Sequence, residues 1–251
     1  MPRFLILTFE APLMAFGDEI VDAYGKVRDF PGASNLTGLF ANALGWTRGQ
    51  RAAHQRLQDR LVFAVRLDRP GIEIRDFQTA KLAANDRGWT TRGVFEGRAG
   101  GAATYESPHI RHRDMIADAA LTVAVALAPA EEAPTLDDLA AALDAPARPL
   151  FLGRKPCLPA RPLLVAGDAG RFIEAKDAFA AVAAAPFIVD DAEADADGPV
   201  LTGPERRDLP AVFERRLIAD ERNWHSGVHG GGRVFARGRR TRLPPAGEAG
   251  R

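Results

Sequence analysis

Apolar residues in the first part of the chain recur at two spacings, one typical of strands and one typical of helices. Residues 3–9 form a short apolar run closed by Ala11 and Pro12, and such a run predicts a buried strand. Ser34 is a suitable N-cap, and the pattern after it predicts a helix that Gly45 ends. The apolar positions that would share the buried face of this helix are Leu36, Leu39, Phe40 and Leu44.

The same reasoning extends along the chain to residue 165. A more polar helix is predicted at about 50–60, followed by strands at 61–68 and 72–79 that Pro70 and Gly71 would join by a turn. The later elements are a strand at 121–128, a helix that begins with the pair Thr135 and Asp138 and ends at Leu143, and a short strand at 163–165. The resulting order is strand, helix, strand, strand, helix, strand. This βαββαβ order predicts an α+β fold of the ferredoxin-like or RNA-recognition-motif type.

An insertion at about residues 80–115 interrupts this order. It contains five glycines and five arginines and almost no aliphatic periodicity, so it is too polar for a core and too long for a plain connection. We expect it either to be disordered or to be an arm that becomes ordered on a partner. The whole chain is then expected to comprise a domain at 1–166, a smaller β-rich C-terminal domain at 167–236, and a disordered basic tail at 237–251.

Composition limits the class of protein. The chain has 33 Lys and Arg against 33 Asp and Glu, and a net charge of zero by itself argues against nucleic-acid binding. However, residues 168–197 are mostly acidic and residues 233–242 are basic, and segregated charge can build one basic face on a neutral protein. The alternative is two unrelated solvated loops. No apolar run approaches membrane-spanning length, and one cysteine cannot form an internal disulfide, so we expect a cytoplasmic protein.

The run at residues 149–159 carries the strongest chemical signal. It contains Arg154 and Lys155 side by side, the aromatic Phe151, three prolines and no acid. Prolines rule out a long helix and fix the path of the loop. A stiff loop with adjacent cations and a nearby aromatic suits a bent polyanion, since phosphates attract cations and unstacked bases attract flat apolar faces. The alternative is a solvated basic turn. Cys157 in this run is expected to be a small buried filler rather than a nucleophile.

Catalysis of RNA cleavage would need a base near the 2′-hydroxyl and an acid for the leaving oxygen. The side chains that could supply them are His54, His109, His112, His225, His229, Tyr24, Tyr105 and Lys81. The alternative for the histidines is contact with phosphate or solvent. His225 and His229 lack the accompanying ligands of a zinc site, and no phosphate-binding or cofactor motif is present, so we expect no metal and no cofactor.

A family resemblance covers roughly residues 1–165. The landmarks are the segments 4–17, 28–39, 75–79 and 118–124, followed by Leu152-Gly153-Arg154-Lys155, and they occur in one consistent order. In this order they resemble the CasD-type subunit of the type I-E CRISPR Cascade complex, which forms the fifth Cas family of the RAMP superfamily. The remainder of the chain matches more loosely.

The resemblance implies a non-catalytic protein that grips the 5′ handle of the CRISPR RNA and caps the backbone filament. It implies CasC-type backbone subunits and the large CasA-type subunit as partners, with target DNA contacted only indirectly. It also implies that residues 80–115 form a β-hairpin thumb. The candidate RNA-binding residues that lie at matching positions are Arg154, Lys155, Phe151 and Arg113, and Gly153 belongs to the same loop. The other candidates are supported only by their charge and their place in the chain: Arg111, Lys81, Arg87, Arg92 and Arg98. Two alternatives remain: a metal-independent repeat endoribonuclease, and a purely architectural adaptor.

Overall fold

The computed structural model describes residues 1–21, 23–81, 88–89, 95–96, 108–165, 167, 170–189, 200–205, 213–230 and 232–239. The helices in these ranges are α1 (Ala33–Ala43), α2 (Arg51–Arg60), α3 (Leu136–Asp144) and α4 (Ala178–Ala184). The strands are β1 (Arg3–Met14), β2 (Phe16–Val21), β3 (Tyr24–Arg28), β4 (Leu61–Arg69), β5 (Ile72–Ala80), β6 (Gly88–Trp89), β7 (Phe95–Glu96), β8 (His109–Leu127), β9 (Phe172–Glu174), β10 (Val200–Pro204), β11 (Glu214–Ile218) and β12 (Arg233–Arg239).

Strand β8 is the centre of the main sheet, and it changes partners along its length. Its second half pairs antiparallel with β1 on one side and with β4 on the other. Its first half pairs antiparallel with β5 and, at Tyr24 and Gly25, parallel with β3. Strand β9 extends the sheet beyond β1, and β10, β12 and β11 extend it beyond β4. The mixed α+β architecture is therefore built around one curled sheet.

Alternation along β1 separates two hydrophobic cores. Leu5, Leu7 and Phe9 lie in the core shared with helices α1 and α3, while Phe4 and Ile6 lie in the core beneath α4. Because successive side chains of a strand point to opposite faces, one short apolar run supplies both cores. The continuous apolar pattern of residues 3–9, rather than strict alternation, is what a strand buried on both faces requires.

Most of the predicted elements are confirmed. Helices α1, α2 and α3 and strands β4 and β5 match the predicted bounds within one or two residues, and Thr135 and Asp138 form the predicted capping box. The strand predicted at 163–165 is wrong. Leu163 accepts a backbone hydrogen bond from Thr8, but Pro162 has no N–H and no ladder forms there, so the strand at this edge is β9 instead.

The predicted insertion overlaps the sheet at both of its ends. Strand β5 ends at Ala80, which pairs with His109, so residues 109–115 belong to β8. Residues 82–87, 90–94 and 97–107 lie outside the described residues. The hairpin of β2 and β3 is a further difference, because the sequence pattern predicted no strand between residue 9 and the helix that begins at Ser34.

The C-terminal strands join the same sheet as the N-terminal ones. Strand β12 reaches Arg239 because residues 237–239 pair with β10, so the strand extends past the residue where the tail was expected to begin. The side chain of Asp220 is buried and accepts a hydrogen bond from the backbone N–H of Ala33, which ties this part of the chain to the start of α1. The division into two domains at residue 166 stays a prediction. In the described part of the chain no helix is long and apolar enough to cross a membrane.

Candidate nucleic-acid interface

The loop at residues 149–159 is fastened to the corner between β1 and β2. Ala15 donates a backbone hydrogen bond of 3.0 Å to the carbonyl of Leu152, and Leu152 donates one of 2.7 Å to Cys157. Leu152 and Cys157 are buried, and burial raises the pKa of the Cys157 thiol. Cys157 is therefore the buried filler that we expected.

Gly153 is required where this loop turns. Its φ is +95°, and a Cβ placed on it would lie 1.9 Å from the carbonyl oxygen of Ala15. Any other residue would meet both a backbone conformation that favours glycine and a clash with backbone. Gly153 thus lets the loop approach β1 closely, and it determines the direction in which Arg154 leaves the turn.

Arg154 extends from this turn across the junction of β3 and β8. Its guanidinium donates to the carbonyl oxygens of Asp114, at 3.1 Å, and Gly25, at 3.4 Å. A Cβ on Gly25 would lie 3.1 Å from the Arg154 Nη2, so the glycine leaves room for the arginine. The side chain is half-buried, and desolvation, followed by the nearby charge of Arg113, lowers its pKa.

Three further cations surround this position, and together with Arg154 they form what we call the cationic cluster: Arg111, Arg113, Arg154 and Lys155. Arg113 pairs with Gly25 in the β3–β8 register, so its side chain lies on the face that Arg154 crosses. Arg111 is two residues along the same strand and shares that face. Both arginines and Lys155 are exposed. Among the ion pairs of the described residues, none involves a member of the cluster, although Asp76 lies opposite Arg113 in the β5–β8 ladder and acts on Arg154 by charge.

The other predicted contact residues divide into three groups. Phe151 is half-buried and lines a small cleft with Phe16 and Leu36, so one side of its ring packs against the protein. Lys81 is exposed just beyond the end of β5. Arg87, Arg92 and Arg98 lie outside the described residues.

The opposite face of the same strands carries a second set of charges. The carboxylate of Asp114 is buried and pairs with Arg75 at 2.6 Å and with Lys26 at 3.4 Å. The hydrogen bond from Arg75 is the main reason that the pKa of Asp114 lies below its ordinary value. Glu73, two residues from Arg75 on the same face of β5, also acts on Arg75 by its charge, so two carboxylates face the two cations.

An aromatic row lies beside these charges, and we define it as Tyr24, His112 and Phe77. The ring centroids of Tyr24 and His112 are 4.8 Å apart with an interplanar angle of 11°, and those of Phe77 and His112 are 5.5 Å apart. Sequence analysis gave no binding role to Phe77, Arg75 or Lys26. The segment 75–79 is one of the family landmarks, and its alternation places Arg75 and Phe77 on one face.

His54 lies away from this site, whereas His109 shares the face of β8 that carries Arg111 and Arg113. His54 is buried between Trp46 and Trp224, with ring centroids 5.4 Å and 4.6 Å away, and its Nδ1 lies 2.8 Å from the carbonyl oxygen of Gln50. His109 is exposed at the start of β8. In the described ranges, no group of three His, Cys, Asp or Glu side chains is placed to hold a metal ion.

Comparison with known proteins decides the family. The model of the Cas5 family of CRISPR-associated proteins matches residues 4–234. The chain belongs to the Cas5 family. The prediction of the fifth Cas family is therefore confirmed, and the match extends into the C-terminal region, where the sequence resemblance was loose.

Individual relatives of this Cas5 protein agree with the family match. The CRISPR system Cascade subunit CasD of Escherichia coli (strain K12) is 27% identical over 174 residues, which are 66% of this chain and 71% of the relative. A chain from a solved CRISPR RNA-guided surveillance complex is 25% identical with a TM-score of 0.64, covering 93% of this chain and 88% of its own length. A solved Cas protein shares the fold, with 21% identity, a TM-score of 0.61 and 92% coverage of both chains.

Proposed function

We propose that this Cas5 protein is the non-catalytic CRISPR RNA-binding subunit of a cytoplasmic type I-E Cascade complex. In this role it grips the 5′ handle of the guide RNA and caps the filament of CasC-type subunits, beside the large CasA-type subunit. Membership in the Cas5 family and similarity to a Cascade subunit and to a surveillance-complex chain support the assignment.

One observation carries the RNA-binding part of the proposal, namely that Arg154 and Arg113 converge at the junction of β3 and β8. The two cations come from segments distant in sequence, and each raises the electrostatic cost of the other. Neither arginine forms an ion pair within the described residues, and the charges of Asp114 and Asp76 offset only part of this cost. A phosphate placed between them would relieve it, since charge-assisted hydrogen bonds to phosphate are among the strong ones.

The finer fold assignment belongs to the same proposal. The antiparallel order β9-β1-β8-β4, with α1 and α2 between β1 and β4 and with α3 between β8 and β9, supports the ferredoxin-like reading. Strand β5 and the first half of β8 would be the base of the thumb. The cationic cluster then lies at the point where the thumb leaves the sheet.

The test is the salt dependence of RNA binding. Arg113→Glu with Lys155→Glu changes two exposed cations and should weaken binding of RNA that carries the 5′ handle. Each lost phosphate contact with single-stranded RNA should also reduce the slope of log K against log salt by about 0.7. Arg215→Glu with Arg216→Glu on β11 is the matched control and should leave the slope unchanged. Equal slopes for wild type and the first variant would contradict RNA binding here and favour the architectural adaptor.

A second candidate function has one observation in its favour. Tyr24 and His112, two of the side chains that could serve in RNA cleavage, are adjacent. Their rings meet face to face, however, and this geometry suits stacking better than proton transfer from the phenol to the imidazole. We therefore expect His109→Ala and His112→Ala to leave guide RNA at its mature length when co-expressed with the other subunits and a repeat array. Uncut precursor, with the subunit still assembled, would favour the endoribonuclease.

A further inference from the structure

A loop at residues 222–229 is fastened to helix α2 by hydrogen bonds. Gln58 of α2 exchanges two of them with the backbone of Arg222, at 3.0 Å and 3.1 Å, and its Oε1 also accepts from the Trp224 indole N–H at 3.0 Å. Gln55 accepts from the backbone N–H of Trp224 at 2.9 Å. Surface loops are ordinarily more mobile than the elements they connect. This loop is instead held in one position by a neighbouring helix.

The tip of the fastened loop is exposed and has hydrogen bonds of its own. The side chain of Asn223 accepts from the backbone N–H groups of His225 and Ser226, at 3.0 Å and 2.9 Å. Gly227 and Val228 follow, and the relative exposure of Val228 is 64%. A single exposed valine needs no explanation by itself. A fixed and exposed loop, however, is the part of a protein in which binding residues are concentrated.

Arg222 is a cation of this loop whose guanidinium finds no acceptor among the described residues. Its Cζ lies 5.1 Å from the centroid of the Trp224 ring, and a Cβ placed on Gly227 would lie 3.5 Å from its Nη2. The side chain is half-buried, its Nε is buried without a hydrogen bond, and the guanidinium forms no ion pair with a described residue. A charged donor that is partly desolvated and unpaired is costly, so an anion that reaches it would gain strong hydrogen bonds.

Positive charge exceeds negative charge around the loop. Arg51 of α2 lies against it, since its guanidinium donates at 3.1 Å to a backbone carbonyl of the loop. Glu221, the carboxylate that precedes Arg222, lies 3.7 Å from Arg233, and Arg233 also pairs with the buried Asp220 at 2.7 Å. Two carboxylates thus share one arginine, and together these three groups contribute one negative charge against the two cations. The loop therefore attracts an anion.

The chemistry of the loop favours a carboxylate of a protein over nucleic acid. The Trp224 indole is half-buried and packs against His54, with ring centroids 4.6 Å apart, so it supports the loop rather than offering a platform for a base. Two cations are few for a phosphate backbone, whereas arginine beside an aromatic side chain is typical of protein interfaces. Desolvation, followed by the charges of Arg222 and Arg28, lowers the pKa of His229, so this imidazole is neutral near pH 7 and adds no charge.

We propose that the loop at residues 222–229 docks an acidic segment of a second protein, in which a carboxylate pairs with Arg222 and Arg51 and an apolar side chain contacts Val228. This docking loop shares no residue with the cationic cluster. Its partner is a subunit of the complex proposed above, so the inference rests on that assembly and not on the RNA contacts.

The test measures assembly and RNA binding separately. Tagged wild type and an untagged variant are co-expressed with the CasC-type and CasA-type subunits and a repeat array, and the ratio of the two in the purified complex is measured. Arg222→Gln should fall about 10-fold to 150-fold in this ratio, as expected for one lost charge-assisted hydrogen bond. The isolated variant should bind handle RNA with a Kd within about 2-fold of wild type. Arg56→Gln is the matched control on α2, because Arg56 already pairs with Glu132, and it should compete equally with wild type.

A second measurement locates the partner and leaves Arg222 in place. Val228→Lys puts an amine at the exposed tip, and a carbodiimide should join it to an aspartate or glutamate of another subunit in the assembled complex, which mass spectrometry identifies. Crosslinks confined to carboxylates of this chain would overturn the proposal, because the occupant would then be its own acidic segment.

The other outcomes are equally decisive. Equal incorporation of Arg222→Gln and wild type would overturn the docking proposal. Weaker binding of handle RNA by the isolated variant would also overturn it, because the anion would then be a phosphate. A wild type that is not incorporated would refute both the proposed complex and its docking loop. Salt-independent RNA binding by an incorporated wild type would refute the proposed RNA contacts alone.

Discussion

Replacing Gly153 by alanine should displace the loop that positions Arg154. The new Cβ would lie 1.9 Å from the carbonyl oxygen of Ala15, where an ordinary carbon–oxygen contact is about 3.3–3.6 Å, so the backbone must separate by more than an ångström. The positive φ costs a non-glycine residue about 1–2 kcal/mol, and loss of the hydrogen bond from Ala15 to Leu152 costs about 0.5–1.5 kcal/mol. We expect the free energy of unfolding to fall by about 1.5–3.5 kcal/mol.

Gly167→Ala is the control, because Gly167 has a φ of +77° but nothing within 4 Å of an added Cβ. It isolates the cost of the backbone conformation, which should not exceed about 2 kcal/mol. Urea denaturation measures both variants, and binding of handle RNA is measured under native conditions. Gly153→Ala should also weaken RNA binding, since Arg154 follows the displaced residue. If the two alanine variants were equally stable and bound RNA equally well, the reasoning about the close approach at Ala15 would be refuted.

Three other changes have defined outcomes. Because Arg75 holds the pKa of Asp114 below its ordinary value, the stability that this carboxylate contributes is complete above about pH 3.9 and is lost as pH falls below it. The free energy of unfolding from urea denaturation should therefore be larger for wild type than for Asp114→Asn at neutral pH, and the difference should shrink below about pH 4. A difference that does not depend on pH would contradict this. Arg66→Met should lower the free energy of unfolding by about 3–5 kcal/mol in the same assay, because Arg66 is buried, pairs with Asp68 and donates hydrogen bonds to carbonyls at the end of α4. A loss under about 1 kcal/mol would be inconsistent with that role. Asp220→Ala removes the acceptor for Ala33 and should speed hydrogen exchange in the first turn of α1, whereas unchanged exchange there would show that the cap is dispensable.

Elements with an apolar face could be predicted from the sequence, whereas most of the exposed strands could not. Helices α1 and α3 and strand β4 each bury a regular set of apolar residues, so their spacing was informative. Strand β5 was found through its turn, although its residues are mostly exposed. The sequence pattern does not predict strand β3 or the first half of β8, because their residues are polar and mostly exposed or half-buried. Their hydrogen-bond partners are distant in the sequence, and local spacing does not encode such pairing.

The candidate site shows the same limit. The adjacent cations and prolines of the loop indicated a polyanion surface, and the family resemblance placed Arg113 with them. The contact between Arg154 and the carbonyl of Gly25 depends on a parallel pairing of β3 with β8, which no sequence pattern predicted. For the same reason Tyr24 and His112 were separate candidates for RNA cleavage, and their stacking became visible in the folded chain.

Pairing, rather than net charge, decides where this neutral protein can attract a polyanion. The sequence allowed the basic C-terminal residues to build a basic face, with solvated loops as the alternative. In the structure Arg233 pairs with the buried Asp220 and Arg237 pairs with Asp29. These charges are neutralised by partners that the fold supplies. The cationic cluster differs, because none of its members forms an ion pair in the described part of the chain, although Asp76 and Asp114 offset part of its charge. A balanced composition is thus compatible with RNA binding when the fold pairs some cations with carboxylates and leaves others exposed together.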